Sequence, residues 1–198
     1  QENVTLIDIN KTPIECINEN GIKTSEKEFE FDLLIYATGF DGVTGPYDRI
    51  DIKGKEGRCL KEEWTTFPRT LFGMQVDGYP NMLMILGPHT ARGNIPRNIE
   101  EVVEWQTDLI SFMMENKFDR VEPDTTAVDD WINTVSKASE GLLSSKIASW
   151  QTGVNRNVEG RSAPRVLGYN GGAVRYRKII GSVATREYQE FVFSKIEK

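Results

Sequence analysis

The feature that most constrains the fold is a short apolar run at residues 33–37, which leads directly into Ala37-Thr38-Gly39-Phe40. The run does not alternate polar and apolar residues, which predicts a strand covered on both faces, as in the sheet of an α/β protein. Ala37 and Gly39 remove side-chain bulk where this strand ends, and Gly39 can adopt a positive φ. The pattern predicts close approach of another backbone or of an extended cofactor. A buried strand that ends in an ordinary tight turn is an alternative interpretation of the same residues.

Composition narrows the class of protein. The 198 residues, 38% of them hydrophobic, can supply the core of one large domain or two small ones. The apolar runs fall far short of the roughly 20 residues that a membrane-spanning helix needs, so no membrane partner is expected. A net charge of −6 with scattered basic residues argues against a nucleic-acid partner. Cys16 and Cys59 lack CxxC spacing, which argues against a disulfide framework or a zinc site and favours the cytoplasm.

The first forty residues read mostly as β-structure. Residues 3–9 and 13–17 are strand-like, Asn20-Gly21 is a strong hairpin-turn signal, and residues 28–31 alternate before the apolar run. A second buried strand is predicted at residues 81–86 and is closed by Gly87-Pro88.

Helices are expected after that point. Asn94 as N-cap and Pro96 in the first turn predict a helix start. Its predicted buried stripe consists of Ile99, Val102, Val103, Leu109, Ile110 and Met113. A second helix should follow Pro123-Asp124 and end near Gly141, with a buried face made of Val128, Trp131 and Val135. The tail then predicts a loop at residues 150–172, a helix through Tyr176 and Ile180, and a strand at residues 191–193.

The unit of buried strand, Gly-Pro, short loop and helix start carries the main chemical signal. The first N–H groups of a helix lack internal partners and carry partial positive charge, so a helix start with Ile95 and Pro96 at its end can hold an anionic or electron-rich group. An ordinary strand-to-helix connection would give the same pattern.

Other sites are weakly supported. His89 is the single histidine, and there is no Gly-x-Ser-x-Gly elbow, so hydrolase and histidine-metal chemistry are disfavoured. Gly168, Gly171 and Gly172 do not form Gly-x-Gly-x-x-Gly, and there is no Walker segment. The chain therefore shows no complete phosphate cradle of its own, and no metal site is expected.

An ordered set of motifs resembles the flavin-dependent Baeyer-Villiger monooxygenases. The set comprises Ala37-Thr38-Gly39-Phe40-Asp41, Gly78-Tyr79-Pro80-Asn81-Met82, Gly87-Pro88, Asn94-Ile95-Pro96, Trp131, Ser149-Trp150, Gly153-Val154-Asn155 and Tyr169-Asn170-Gly171-Gly172. It covers nearly the whole chain, and its specificity lies in the order, since Ala-Thr-Gly alone is common among flavoproteins.

The resemblance implies the C-terminal part of a flavoprotein with two Rossmann-like dinucleotide-binding domains, starting with a β-hairpin and ending in a helical tail. Residues 1–40 would form the end of the NADPH-binding domain and the crossover strand. Residues 41–198 would form the C-terminal part of the FAD-binding domain, with a lid loop at about residues 144–172. The family's glycine fingerprints would lie upstream, in the remaining N-terminal part of the enzyme, so this chain alone is expected to be inactive.

The resemblance also implies cofactor-binding residues for FAD and NADP(H). They are Ala37, Thr38, Gly39, Gly87, Pro88, Asn94, Ile95 and Trp150. The first three would mark the return to the FAD domain. Asn94 and Ile95 would face the pyrimidine edge of the flavin, and Trp150 would cover NADP⁺.

The implied reaction takes a ketone and O₂ to an ester or lactone. Two alternatives stay open: an N-hydroxylating or general flavin monooxygenase, and a non-catalytic binding or assembly domain of the same fold.

Overall fold

The computed structural model describes residues 1–39, 41–155 and 158–196. It divides into two compact units, residues 1–39 and residues 40–198. Phe40, the last residue of the Ala-Thr-Gly-Phe motif, and residues 156 and 157 of the predicted lid loop lie outside the described residues.

The N-terminal unit contains the predicted hairpin. Strands β1 (Ile14–Ile17), β2 (Gly21–Thr24) and β3 (Glu28–Glu30) form an antiparallel sheet in the order β1-β2-β3. Asn18 Oδ1 accepts the Asn20 and Gly21 N–H groups at 3.0 and 2.9 Å, which closes the turn. A Cβ at Gly21 would lie 2.0 Å from the Phe29 carbonyl oxygen, so this turn requires glycine.

Two strand predictions for this unit are wrong. Residues 3–9 and 33–37 form no strand, and Leu6, Leu33 and Ile35 are 94%, 74% and 76% exposed. A strand needs a neighbour to take its backbone N–H and C=O groups, and no strand among the described residues pairs with either segment. The apolar run at 33–37 would need neighbouring strands and covered faces, and the described residues supply neither.

The C-terminal unit is mainly helical. Its helices are α1 (Gly45–Asp48), α2 (Leu60–Glu63), α3 (Ile95–Asn116), α4 (Thr125–Lys137) and α5 (Ala173–Thr185). Short 3₁₀ turns occupy Lys55–Gly57, Leu143–Lys146 and Trp150–Thr152. Strands β4 (Arg120–Pro123) and β5 (Phe191–Ser194) pair antiparallel, which confirms the predicted last strand.

The two long helix starts form as their caps predict. Asn94 accepts the Arg97 N–H of α3, and Asp124 accepts the Thr126 and Ala127 N–H groups of α4. Val128, Trp131 and Val135 are buried, as predicted. The helix through Tyr176 and Ile180 is α5.

The buried face of α3 differs from the prediction. Val102 and Leu109 are buried, but Ile99, Val103 and Ile110 are exposed, and the remaining buried positions are Asn98, Trp105 and Gln106. The polar pair can be buried because each side chain donates to a carbonyl: Asn98 to Ala91 at 3.0 Å and Gln106 to Met84 at 2.7 Å. A stripe chosen by hydrophobicity alone therefore finds only part of the buried face: Val102 and Leu109 are buried and Met113 packs against the core, but the polar members of the face are missed.

The strand predicted at residues 81–86 is also absent. Met84 N–H donates to the Met74 carbonyl at 2.7 Å, but no ladder forms and Ile85 is exposed. Met84 packs instead with Trp64 and Tyr79 in a small core. A larger core joins α3, α4 and α5 around Leu109, Trp131 and Tyr176.

No helix in residues 1–39, 41–155 or 158–196 has the length and apolar character needed to span a bilayer.

Candidate functional site

A cavity of about 320 Å³ opens at the N-terminal end of α3. It is lined by Val43, Leu86, Gly87, Thr90, Ala91, Arg92, Gly93, Ile95, Trp150, Gln151, Leu167 and Gly168. The structure thus brings together three positions predicted from the sequence, namely Gly87, Ile95 and Trp150. The lining is mostly apolar with a few polar groups, as is usual for a small-molecule site.

Two distant segments form the wall of this cavity. The Tyr169 N–H donates to the Thr90 carbonyl at 2.8 Å, and the His89 N–H donates to the Leu167 carbonyl at 3.1 Å. Ala91 and Tyr169 form a parallel bridge. These backbone bonds fix the loop that precedes α3, and with it the direction in which the helix start faces.

Gly87 has a packing requirement independent of any ligand. Its N–H donates to the Gly73 carbonyl at 3.0 Å, and an added Cβ would lie 2.6 Å from the same oxygen. Pro88 is buried, does not line the cavity, and accepts the Thr70 hydroxyl at 2.7 Å through its carbonyl. Close packing therefore accounts for both residues, and their cofactor role stays a prediction.

His89 is a buried structural residue. Its ring stacks on Phe67, Nε2 lies 3.0 Å from the Val166 carbonyl oxygen, and Nδ1 lies 3.1 Å from Thr70 Oγ1. Burial lowers the pKa of His89 to about 4. The imidazole is therefore neutral at pH 7, and the described part of the chain contains no cluster of metal-ligating side chains around it.

The start of α3 presents a backbone donor to the cavity. Asn94 Oδ1 accepts the Arg97 N–H at 3.1 Å, and Pro96 has no N–H. The Ile95 N–H is left, and it has no acceptor among the described residues. Ile95, whose N–H is free, therefore lines this cavity at the positive end of a 22-residue helix.

Trp150 stands at the cavity rim. It opens the 3₁₀ turn Trp150–Thr152, in which the Ser149 N–H donates to Thr152 Oγ1 at 3.1 Å. A Cβ on Gly42 would lie 3.0 Å from indole Cε3, so part of the ring rests on the Gly42 backbone. The side chain is 61% exposed, which matches a tryptophan outside the core and leaves a large flat surface available.

Sequence reasoning missed Arg92 and Gln151. Arg92 Nη1 donates to Gln151 Oε1 at 3.1 Å, and Nη2 donates to the Gln151 carbonyl at 2.9 Å. Burial lowers the pKa of Arg92. The available signal in the sequence was the position of Arg92, a cation in the short loop two residues before the N-cap Asn94.

A buried ion cluster fixes the segments around Trp150. Arg161 is 3% exposed and donates to both Asp41 oxygens at 2.7 Å and to Asp48. The cluster ties the loop after Trp150 to the segment that contains Gly42, on which the indole rests. Asp41, directly after the Ala-Thr-Gly-Phe motif, was the sequence signal for it.

Ala37, Thr38 and Gly39 belong to the N-terminal unit and are exposed. Gly39 has φ +79°, so the predicted positive φ is confirmed. A Cβ there would meet no atom within 4 Å, so the predicted close approach stays a prediction.

The comparisons with known proteins give consistent relatives. No protein-family model matches the chain. It is 38% identical over 192 residues to cyclohexanone 1,2-monooxygenase from Acinetobacter sp and 36% identical over 191 residues to a phenazine N-monooxygenase from Lysobacter antibioticus. Each alignment covers 96% of this chain but 35% of the relative, so the chain spans about a third of these proteins' length.

Solved structures agree. The closed crystal structure of cyclohexanone monooxygenase superposes with a TM-score of 0.90 at 34% identity, covering 99% of this chain and 36% of that one. A structure of OTEMO in complex with FAD and NADP superposes with a TM-score of 0.82 at 34% identity, covering 98% and 35%. The predicted fold class is confirmed by these superpositions.

Proposed function

This chain belongs to the flavin-dependent Baeyer-Villiger monooxygenases, whose C-terminal portion it matches, and on that premise we propose that it forms part of an FAD- and NADPH-dependent enzyme. The complete enzyme inserts one oxygen atom of O₂ into a ketone to give an ester or lactone. One observation carries the proposal: the cavity joins the start of α3 to an exposed tryptophan, in a chain of this family. The remaining N-terminal part of the enzyme is the partner that completes it.

The residues at the start of α3 fit a flavin. The Ile95 N–H is free, the helix end carries partial positive charge, and Asn94 holds the turn in place through Arg97. These groups would hold the pyrimidine edge of FAD, where a helix dipole stabilises negative charge by about 0.3 to 2 kcal/mol. FAD supplies the redox and oxygen-transfer chemistry when bound, and the protein orients and shields it.

Trp150 fits the nicotinamide side of the site. Its indole offers a flat apolar face and one N–H donor, which suits the cover of a nicotinamide amide and ribose. The 3₁₀ turn and the Arg161 cluster hold this residue at the cavity rim. The loop at residues 144–172 would then act as a lid over NADP(H).

The domain assignment is part of the same proposal. Residues 1–40 end the NADPH-binding domain, and Ala37-Thr38-Gly39 mark the return to the FAD-binding domain at residues 41–198. The division into compact units after Gly39 supports this boundary. Gly87 and Pro88 set the position of the helix start through their contacts with Gly73 and Thr70.

The reducing cytoplasm is the proposed location. Cys16 is exposed and Cys59 is partly buried, and both are free thiols. Exposed free thiols persist best where thiols are kept reduced.

The test uses the full-length protein that contains this chain, loaded with FAD and supplied with NADPH and a panel of cyclic and linear ketones. The expected result is one ester or lactone per NADPH consumed, identified by mass spectrometry with ¹⁸O₂. Oxidation of NADPH without oxygen incorporation into any ketone would contradict the proposal.

The isolated 198 residues provide the matched control. We expect them neither to retain FAD after desalting nor to oxidise NADPH, because they contain no glycine fingerprint. Stoichiometric flavin absorbance with the isolated chain would show that its own residues suffice for binding.

N-oxidation is the second candidate function, favoured by the 36% identity to a phenazine N-monooxygenase. The same full-length protein should be given phenazine in parallel with the ketones. An N-oxide as the preferred product would replace the ketone proposal with this one.

A further inference from the structure

Arg92 is the one ionisable side chain that lines the cavity within the described residues. Its neighbours in the lining are apolar or neutral, including Ile95, Trp150 and Leu167. A guanidinium in such surroundings has lost part of its hydration and gains most from an anionic partner.

No carboxylate of the described chain supplies that partner. Arg92 forms no ion pair with residues 1–39, 41–155 or 158–196, whereas Arg97, the third residue of α3, pairs with Glu101. Burial is the single cause that shifts the Arg92 pKa, and it lowers it. The charge is therefore held near the cavity without compensation from the described protein.

The side chain is nevertheless held in one direction. Gln151 accepts from both terminal nitrogens at 3.1 and 2.9 Å, and a Cβ on Gly168 would lie 2.6 Å from Arg92 Nε. Gly168 thus provides the space in which the guanidinium lies, and Gln151 fixes its plane. Its other N–H groups have no partner among the described residues.

The start of α3 adds charge of the same sign. Ile95 lines the same cavity at the positive end of the helix dipole, and because its free N–H is assigned to the flavin edge, Arg92 is the donor left for a second anionic group. A guanidinium held in one direction, in a cavity whose described lining contains no acid, makes a setting for an oxyanion.

We propose that Arg92 makes this cavity an oxyanion-binding subsite, so that the enzyme takes ketones that carry a carboxylate or phosphate group. The claim that the substrate is a ketone rests on the proposed function, whereas the claim that Arg92 binds an oxyanion does not. A phosphate of the dinucleotide cofactor has the same chemistry, and the experiment separates the two sources.

The experiment uses the full-length, FAD-loaded protein and three variants. Arg92→Met removes the charge while keeping a long side chain, Arg92→Lys keeps the charge, and Arg97→Met removes an equal charge from an exposed side chain that does not line the cavity. Melting temperatures of all variants check that each one folds.

Binding is measured first, by titration calorimetry with cyclohexanecarboxylate, which has no ketone and cannot react, and with NADP⁺. A hydrogen-bonded ion pair predicts that Arg92→Met weakens carboxylate binding about 10- to 100-fold, with partial recovery in Arg92→Lys and little change in Arg97→Met. The affinity of the unmodified enzyme for the carboxylate should also fall as salt is raised.

Turnover is then compared for 4-oxocyclohexanecarboxylate and cyclohexanone. Arg92→Met should lower the ratio of their kcat/KM values by about the same factor. If NADP⁺ binding weakens instead and carboxylate binding does not, the oxyanion is the cofactor's phosphate. If neither ligand is affected, the subsite is refuted. Carboxylate binding that depends on Arg92 in a protein that oxidises no ketone would uphold the subsite and refute the proposed function.

Discussion

Leu109 in the middle of α3 is fully buried, whereas Leu33 in the N-terminal unit is 74% exposed. Both occupy sequence that predicts burial, but only Leu109 has partners, since α4 and α5 enclose the same core. Leu33 lies in a run for which the described residues provide no neighbouring strand. An apolar pattern thus states a requirement for burial, and the packing partners decide whether that requirement is met.

The largest difference between the two regions should appear with one matched substitution. Leu109→Ala should lower the free energy of unfolding by about 2 to 5 kcal/mol, because it leaves a cavity in the core. Leu33→Ala in the same 198-residue chain should change it by less than about 0.5 kcal/mol. Because all four tryptophans lie in the C-terminal unit, urea unfolding is followed by far-UV circular dichroism, which reports on both units, and equal losses would break the comparison.

The second prediction concerns His89, which belongs to the C-terminal unit and is the only histidine. The pKa of this residue is about 4 when folded and 6.5 in the unfolded chain, so between these values the unfolded chain binds a proton that the folded chain excludes. The contribution of His89 to the free energy of unfolding should therefore fall by about 3 kcal/mol as pH drops from 6.5 to 4, and should stay constant below that.

His89→Gln isolates this contribution, because the carboxylates that titrate near pH 4 are the same in both proteins. The difference in unfolding free energy between the two should shrink as pH falls from 6.5 to 4. A difference that stays constant with pH would mean that His89 is not kept neutral by burial.

The third prediction tests whether the N-terminal unit has order of its own. Gly21→Ala places a Cβ against the Phe29 carbonyl oxygen and should destabilise the hairpin by about 1 to 3 kcal/mol. Amide hydrogen exchange in β2 should speed up while α4 keeps its protection. Equal loss of protection in α4 would show that the two units unfold together.

The smallest effect on stability is expected at the cavity rim. Trp150 is exposed, so Trp150→Ala should leave the melting temperature nearly unchanged. In the full-length enzyme it should nevertheless slow ester formation and release more hydrogen peroxide per NADPH, because the lid no longer shields the site. A variant that melts markedly lower yet stays fully coupled would make Trp150 an anchor of the loop instead.

The features that could be predicted from the sequence are those that depend on contacts between residues close together in the chain. The caps at Asn94 and Asp124, the turn at Asn20-Gly21 and the buried face of α4 all form as predicted, because each follows from a few adjacent residues. The ordered motifs also identified the family, which the comparisons confirm.

The contacts between elements that are distant in the chain could be read only from the tertiary structure. The predicted strands at 33–37 and 81–86 did not form, since a strand depends on pairing with chain that is distant in sequence. The buried face of α3 includes Gln106, which a hydrophobic pattern does not predict, because its side chain donates to the Met84 carbonyl of a segment distant in sequence. Arg92 likewise meets Gln151 where residues 89–92 run beside 167–169 and the Arg165 N–H donates to the Thr152 carbonyl at 2.8 Å, and no local pattern encodes a contact between segments so far apart in the chain.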